Sequence, residues 1–194
     1  MTRRHIAMVS IPAPGHVNPS LAIIARLVAA GHRVTYANDE SMREIIEATG
    51  GRIRTVRLHA AQPRPFSRRR EPEKSWDGGD LIDQLTIFQD DYESMLPQLR
   101  RIYEDDRPDL FLYDIAGIPA RILAQQWGVP IIQLSPTYVA WDGYEADAAP
   151  MYDEIRSDPR GVDLLDRETR FFRAEGVEVD PREFTGRHPP VQSC

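Results

Sequence analysis

Apolar and polar positions along this chain predict strands and helices in turn. Short apolar runs typical of buried strands occur at 6–11, 33–37, 52–58, 109–113 and 130–134. Segments with apolar residues at helical spacing lie at 19–30, 41–49, 81–103, 118–127, 147–156 and 161–175. This alternation predicts an α/β fold of the Rossmann-like type: a doubly wound, mostly parallel sheet with helices on both faces, and the third strand at an edge.

Glycine, proline and asparagine residues mark where several of these elements begin and end. Asn18 followed by Pro19 is a typical N-cap and first-position pair, so the first helix is predicted to begin there. Gly31 is expected to end that helix, and Gly128 to end the fourth. Pro97 is expected to kink or split the long third helix.

The length suits one domain, and residues 1–194 are interpreted as a single unit. One internal stretch, 59–79, is rich in Pro, Arg, Glu and Gly, and it is predicted to form a long mobile loop. The run Arg68–Arg70 within it is interpreted as a solvated charge cluster. Contact with an acidic ligand or a partner protein is the alternative.

Composition narrows the class of protein. The formal net charge is −6, which gives no sign of nucleic-acid binding. Cys194 is the only cysteine, so no disulfide can form within the chain, which fits a reducing compartment. The apolar run near the start is broken by prolines, and no stretch is long and apolar enough for a membrane span. We therefore expect a cytoplasmic protein that binds neither nucleic acid nor membrane.

Two residues at strand ends are the candidates for chemistry. His16 follows the first strand, and Asp114 ends the fourth. In the common Rossmann-like order these strands are neighbours, and ligands bind beyond their carboxyl ends. A histidine held by an aspartate is a general base suited to a hydroxyl, and the helix dipole favours the neutral imidazole that a base requires. In the simpler alternative, His16 bonds to backbone and Asp114 caps the next helix.

Signatures of other chemistries are missing from the sequence. No serine or cysteine lies in a nucleophile elbow, and Gly15 is a single glycine where a dinucleotide fingerprint requires three. No Cys pair or His-x-x-x-His is present, so neither a metal nor a cofactor is expected. Trp76, Tyr138 and Trp141 lie in or beside loops at the crevice mouth, where they could line an apolar pocket or serve only as anchors.

Several motifs resemble those of one known family. The heptapeptide Gly-His-Val-Asn-Pro-Ser-Leu at 15–21 is followed in order by similar pieces at 31–37, 119–121, 127–130 and 134–136, and it is preceded by His-Ile-Ala-Met at 5–8. Together these motifs span nearly the whole chain. They resemble the N-terminal half of macrolide glycosyltransferases of the GT-B fold, the oleandomycin glucosyltransferases among them.

The resemblance implies a function and a role for each candidate. His16 would be the catalytic base and Asp114 its support, while Trp76, Tyr138 and Trp141 would contact the acceptor. The reaction would be an inverting, metal-independent transfer of a sugar from a nucleoside-diphosphate sugar to a hydroxyl of a macrolide-like, hydrophobic natural product. The diphosphate sugar would be a co-substrate, bound mainly by a C-terminal domain that this chain lacks. We therefore expect the isolated chain to be inactive without that domain or a partner chain.

Two other functions remain open at this point. The chain could be a truncated, non-catalytic binding or helper protein for a glycosyltransferase partner or a natural product. It could also be an unrelated nucleotide-binding or hydrolase domain of the same architecture. For the isolated glycosyltransferase half, an exposed donor-side face and an unpaired sheet edge are expected to favour self-association.

Overall fold

The computed structural model describes residues 2–58, 80–135 and 144–177, and a parallel sheet forms its centre. Its five strands in this part of the chain are β1 (His5–Val9), β2 (Arg33–Asn38), β3 (Arg52–Thr55), β4 (Leu110–Tyr113) and β5 (Ile131–Gln133). The strand order is β3-β2-β1-β4-β5. The predicted neighbours β1 and β4 are confirmed, with Val9 paired to Tyr113, and so is the edge position of β3.

Six helices connect and follow these strands in the described residues. They are α1 (Pro14–Ala29), α2 (Arg43–Glu47), α3 (Leu81–Tyr103), α4 (Ile118–Trp127), α5 (Tyr144–Ser157) and α6 (Pro159–Ala174). Helix α4 has the predicted bounds, and Gly128 ends it in the left-handed conformation, with φ of 64°. Helix α3 continues through Pro97 as one element, so the predicted split does not occur.

Helices cover both faces of the sheet, which confirms the predicted architecture. Because side chains alternate along a strand, the three central strands β2, β1 and β4 each supply residues to two separate cores. One core joins the sheet to α1 and α2, through buried residues such as Met8, Tyr36, Leu112, Val17 and Ile46. The other joins it to α3, α4 and α6, through residues such as Val9, Phe111, Leu99, Leu123 and Phe172.

The beginning of α1 differs from the prediction. The helix begins at Pro14, not at Pro19, and Ala13 is its N-cap residue without a side-chain hydrogen bond. Pro14 stabilises this start because its fixed φ suits the first helical position and its missing N–H is not required there. Asn18 and Pro19 therefore lie inside the helix, and both are exposed.

Some predictions fall on residues that the structure does not describe. The predicted loop at 59–79, with Arg68–Arg70, lies outside the described residues. Within the described part, no helix is long and apolar enough to cross a membrane.

Candidate active site

His16 lies in the first turn of α1, directly beyond the carboxyl end of β1. Its backbone N–H donates to the carbonyl oxygen of Ala13 at 2.9 Å, and the N–H of Val17 donates to the same oxygen at 3.0 Å. The backbone of His16 is thus helical, because α1 begins two residues before it. Its imidazole is 19% exposed, so one side of the ring reaches the surface.

Asp114 follows the last residue of β4 and is the hydrogen-bond partner of His16. Its carboxylate oxygen Oδ2 bonds to Nδ1 of the imidazole, across 98 residues of sequence. The other oxygen, Oδ1, accepts the N–H of Ala116 at 3.0 Å. Since β1 and β4 are adjacent, their carboxyl ends bring the two side chains together. The structure therefore pairs the two residues that the topology predicted to meet.

The hydrogen bond of this pair fixes which ring nitrogen of the imidazole carries the proton. Burial raises the pKa of the Asp114 carboxyl above its usual value, while the bond from His16 and the backbone N–H groups of Ala116 and Gly117 oppose that rise. A carboxylate that accepts the Nδ1 proton fixes the tautomer. The lone pair then lies on Nε2, which is the nitrogen a general base uses.

A tight turn after β4 holds Asp114 in this position. A Cβ added to Gly117 would lie 2.6 Å from the carbonyl oxygen of Val9 and 3.3 Å from that of Asp114, so only glycine fits there. Gly117, not Asp114, is the N-cap residue of α4. The simpler alternative, in which Asp114 caps the helix and His16 bonds to backbone, is therefore wrong.

A cavity of about 240 Å³ opens beside the imidazole, between α1 and the end of β5. Its lining is half polar and half apolar: His16, Ser20, Gln133 and Ser135, with Met8, Pro19, Ile23 and Leu134. A base at the wall of such a cavity can take a proton from a hydroxyl of a bound molecule. Among the described residues, no three His, Cys, Asp or Glu side chains cluster in a way that could hold a metal ion.

The sequence interpretation missed several residues of this cavity. Ser20 and Ile23 lie four and seven residues after His16, and helical periodicity places all three on one face. That signal was available, but it depended on the helix beginning before His16. The predicted acceptor contacts Trp76, Tyr138 and Trp141 lie outside the described residues.

No protein-family model matches the chain, but individual proteins do. Oleandomycin glycosyltransferase from Streptomyces antibioticus is 46% identical over 190 residues, covering 97% of this chain and 42% of that protein. Demethyllactenocin mycarosyltransferase from Streptomyces fradiae is 30% identical over 182 residues, covering 93% of this chain and 40% of that protein. The chain thus spans less than half the length of these curated relatives.

Solved structures agree with the sequence matches. The glycosyltransferase of kitacinnamycin superposes with a TM-score of 0.84 at 41% identity, over 96% of this chain and 44% of the other. The calicheamicin glycosyltransferase CalG4 has the same fold, with a TM-score of 0.76 at 21% identity over 97% of this chain and 46% of the other. By sequence and by fold, the chain is similar to the N-terminal half of glycosyltransferases of the GT-B fold, macrolide glycosyltransferases among them.

Proposed function

We propose that this chain is the acceptor-binding, base-carrying half of an inverting, metal-independent glycosyltransferase. The observation that carries the proposal is the bond between His16 and buried Asp114 at the wall of a cavity. This geometry supplies an oriented base beside a space for a ligand. The relatives' names supply the reaction class, because each is a glycosyltransferase.

The proposed reaction is a single displacement. Nε2 of His16 takes the proton of an acceptor hydroxyl while that oxygen forms a bond to the anomeric carbon of the sugar. The bond from the anomeric carbon to the nucleoside diphosphate breaks on the opposite face, so the configuration inverts. Asp114 stabilises the resulting imidazolium and does not itself take the proton.

The substrates follow from the same proposal. The donor is a nucleoside-diphosphate sugar, bound mainly by residues outside this chain. The acceptor is a hydrophobic, macrolide-like compound, in line with the relatives that act in oleandomycin and demethyllactenocin chemistry by name. Trp76, Tyr138 and Trp141 remain the proposed acceptor contacts, and the cytoplasm the proposed location.

The test joins this chain to the part of the oleandomycin glycosyltransferase from Streptomyces antibioticus that lies beyond the matched region. The joined enzyme should transfer glucose from UDP-glucose to oleandomycin. His16→Ala should lower kcat by about 10²-fold to 10⁴-fold, the usual contribution of a general base. The matched control is His32→Ala, because His32 precedes β2 at the far end of the sheet and its imidazole accepts only the N–H of Arg4 among the described contacts.

The two results that would overturn the proposal are distinct. A His16→Ala enzyme with full activity would remove His16 as the base. A joined enzyme that transfers no sugar, although the isolated chain binds the acceptor in calorimetry, would favour the non-catalytic binding protein. Loss of activity in His32→Ala as well would indicate damage to the fold rather than to the reaction.

A further inference from the structure

A buried polar network holds the segment that carries His16. The segment 10–13 links β1 to α1, and the carbonyl of Ile11 in it accepts the N–H of Ala13 at 2.9 Å. The side-chain amide of Asn38, at the end of β2, donates to the carbonyl of Ile11 at 3.3 Å and to that of Ser10 at 3.1 Å. Because Ala13 in turn accepts the N–H of His16, β2 is tied to the base through this segment.

The same network reaches α1 through three hydroxyl groups. The Asn38 amide donates to Ser10 Oγ at 2.9 Å, and Ser10 Oγ lies 2.8 Å from the hydroxyl of Tyr36. The Tyr36 hydroxyl lies 3.0 Å from Ser20 Oγ, which donates to the carbonyl of Val17 at 2.7 Å. All four polar side chains are at most 2% exposed.

The direction of every bond in this network follows from counting protons. Each hydroxyl has one proton. Ser20 donates its hydroxyl proton to the carbonyl of Val17, so Tyr36 donates to Ser20. Because the Tyr36 proton is used in that bond, Ser10 donates to Tyr36 at 2.8 Å in preference to its longer contact with the carbonyl of Ile11 at 3.4 Å. The network therefore runs one way, from the end of β2 to the carbonyl beside His16. Tyr36 is its central member, as both acceptor and donor.

Tyr36 is suited to this role over a wide pH range. Burial raises the pKa of its hydroxyl to about 12, although the bonds to Ser10 and Ser20 lower it in part. The group therefore stays a neutral phenol, able to donate, wherever the protein is folded near neutral pH. Buried polar groups that are fully paired in this way fix one arrangement of the surrounding backbone.

We propose that Tyr36 is a positioning residue that sets the place of the His16 imidazole against Asp114, through Ser10 on one side and Ser20 on the other. This inference rests on the proposed function, in which His16 is the base. Without the Tyr36 hydroxyl, Ser10 and Ser20 each lose a buried partner. The first turns of α1 then lose one of their two ties to β2.

The first experiment measures the position of His16 without any reaction. In the proton NMR spectrum of the chain, the Nδ1 proton of His16 should give a separate downfield signal and exchange slowly with water. The signal is assigned by its absence from the spectrum of His16→Ala. Tyr36→Phe should speed its exchange with water about 10-fold, the effect of losing one buried hydrogen bond. Ser20→Ala, which removes the next member of the network, should act in the same direction even where Tyr36→Phe fails to fold.

The chain offers a closely matched control in Tyr103→Phe. Tyr103 is also fully buried, and its hydroxyl bonds Thr35 at 3.2 Å on the other face of the sheet. Both substitutions remove one buried tyrosine hydroxyl, so both should lower the melting temperature. Only Tyr36→Phe should speed the exchange of the His16 proton. Equal exchange rates in the two variants would overturn the inference.

The second experiment measures kcat and the acceptor KM in the joined enzyme. Tyr36→Phe should lower kcat about 10-fold with little change in KM, because a displaced base slows the chemical step more than binding. Unchanged kcat in a variant with faster proton exchange would overturn the positioning role. If the proposed function itself fails, His16→Ala shows it separately, and the exchange rates still decide whether Tyr36 positions the ring.

Discussion

The proposed base depends on a carboxylate, that of Asp114, which is buried in the fold. Asp114 is 1% exposed, and burial raises its pKa, so the folded state gains no stability from ionising it. Its ionised form instead accepts hydrogen bonds from the Nδ1–H of His16 and from the backbone N–H of Ala116. We interpret Asp114 as a group that serves the reaction at some cost to stability.

The variant Asp114→Asn separates these two roles. An asparagine amide would donate to Nδ1 of His16, so the ring proton would move to Nε2 and no lone pair would remain there for the acceptor proton. We expect kcat of the joined enzyme to fall about 10³-fold to 10⁴-fold. The free energy of unfolding at neutral pH should stay equal or rise. A variant with full activity in a steady-state assay would contradict the role of Asp114.

The sequence predicted this pair but not the residues that support it. His16 and Asp114 were found because the order of strands in a doubly wound sheet makes the ends of β1 and β4 meet. Ser20 and Tyr36 could not be found in the same way. Their bond joins one face of a helix to one face of a strand, and this contact depends on packing rather than on any local pattern.

At the scale of elements, the beginning of α1 shows how two local signals compete. Asn18 with Pro19 and Ala13 with Pro14 both offer a proline at the first helical position. The earlier start prevails although Ala13 makes no side-chain cap. Pro19 has no N–H to give to the carbonyl four residues before it, that of Gly15, and this defect is tolerated within α1. The consequence is functional, because the early start places His16 and Ser20 on one helical face.

The turn between β4 and α4 has no room for a side chain at Gly117. Gly117→Ala would bring a methyl group to 2.6 Å from the carbonyl oxygen of Val9, so the turn that follows Asp114 must shift. We expect the free energy of unfolding to fall by about 1–3 kcal/mol, as for overpacked sites, and kcat of the joined enzyme to fall with it. Urea denaturation and steady-state kinetics measure the two effects.

Gly15→Ala is the matched control for this glycine. A Cβ at Gly15 would have nothing within 4 Å in the structure, and the residue is exposed in the first turn of α1. The same substitution should therefore leave the free energy of unfolding unchanged or slightly raised, since alanine favours helix more than glycine does. Equal destabilisation by the two alanines would show that crowding at Gly117 is not the cause.

At the scale of the whole molecule, the aspartates at the two ends of the sheet have pKa values shifted in opposite directions. At the amino ends of the strands, Asp106 accepts Arg33 at 2.8 Å and Arg54 at 3.2 Å, and His5 lies 3.6 Å from it. The bond from Arg33, together with the other positive groups, lowers the pKa of Asp106 below its ordinary value of 3.8. At the carboxyl ends of the strands, burial raises the pKa of Asp114.

These opposite shifts predict opposite effects on stability. The lowered pKa means that the Asp106 carboxylate stabilises the fold above pH 3.8, and that this contribution is lost as the pH falls through the folded-state pKa. The raised pKa of Asp114 means that the folded state binds its proton more tightly than the unfolded chain does. Stability therefore falls as the pH rises from 3.8 through that raised value.

Urea denaturation of two asparagine variants, followed by circular dichroism from neutral pH to about pH 3, tests both signs. Asp106→Asn should lower the free energy of unfolding at neutral pH by about 1 kcal/mol, a modest value because solvent screens this partly exposed cluster. Asp114→Asn should not lower it. Both differences from the wild type should shrink in acid: for Asp114 because its carboxyl is protonated there, and for Asp106 because the stabilisation from its carboxylate is progressively lost below pH 3.8. A loss of stability at neutral pH that is equal in the two variants would contradict this division, in which one end of the sheet stabilises the fold and the other holds the base.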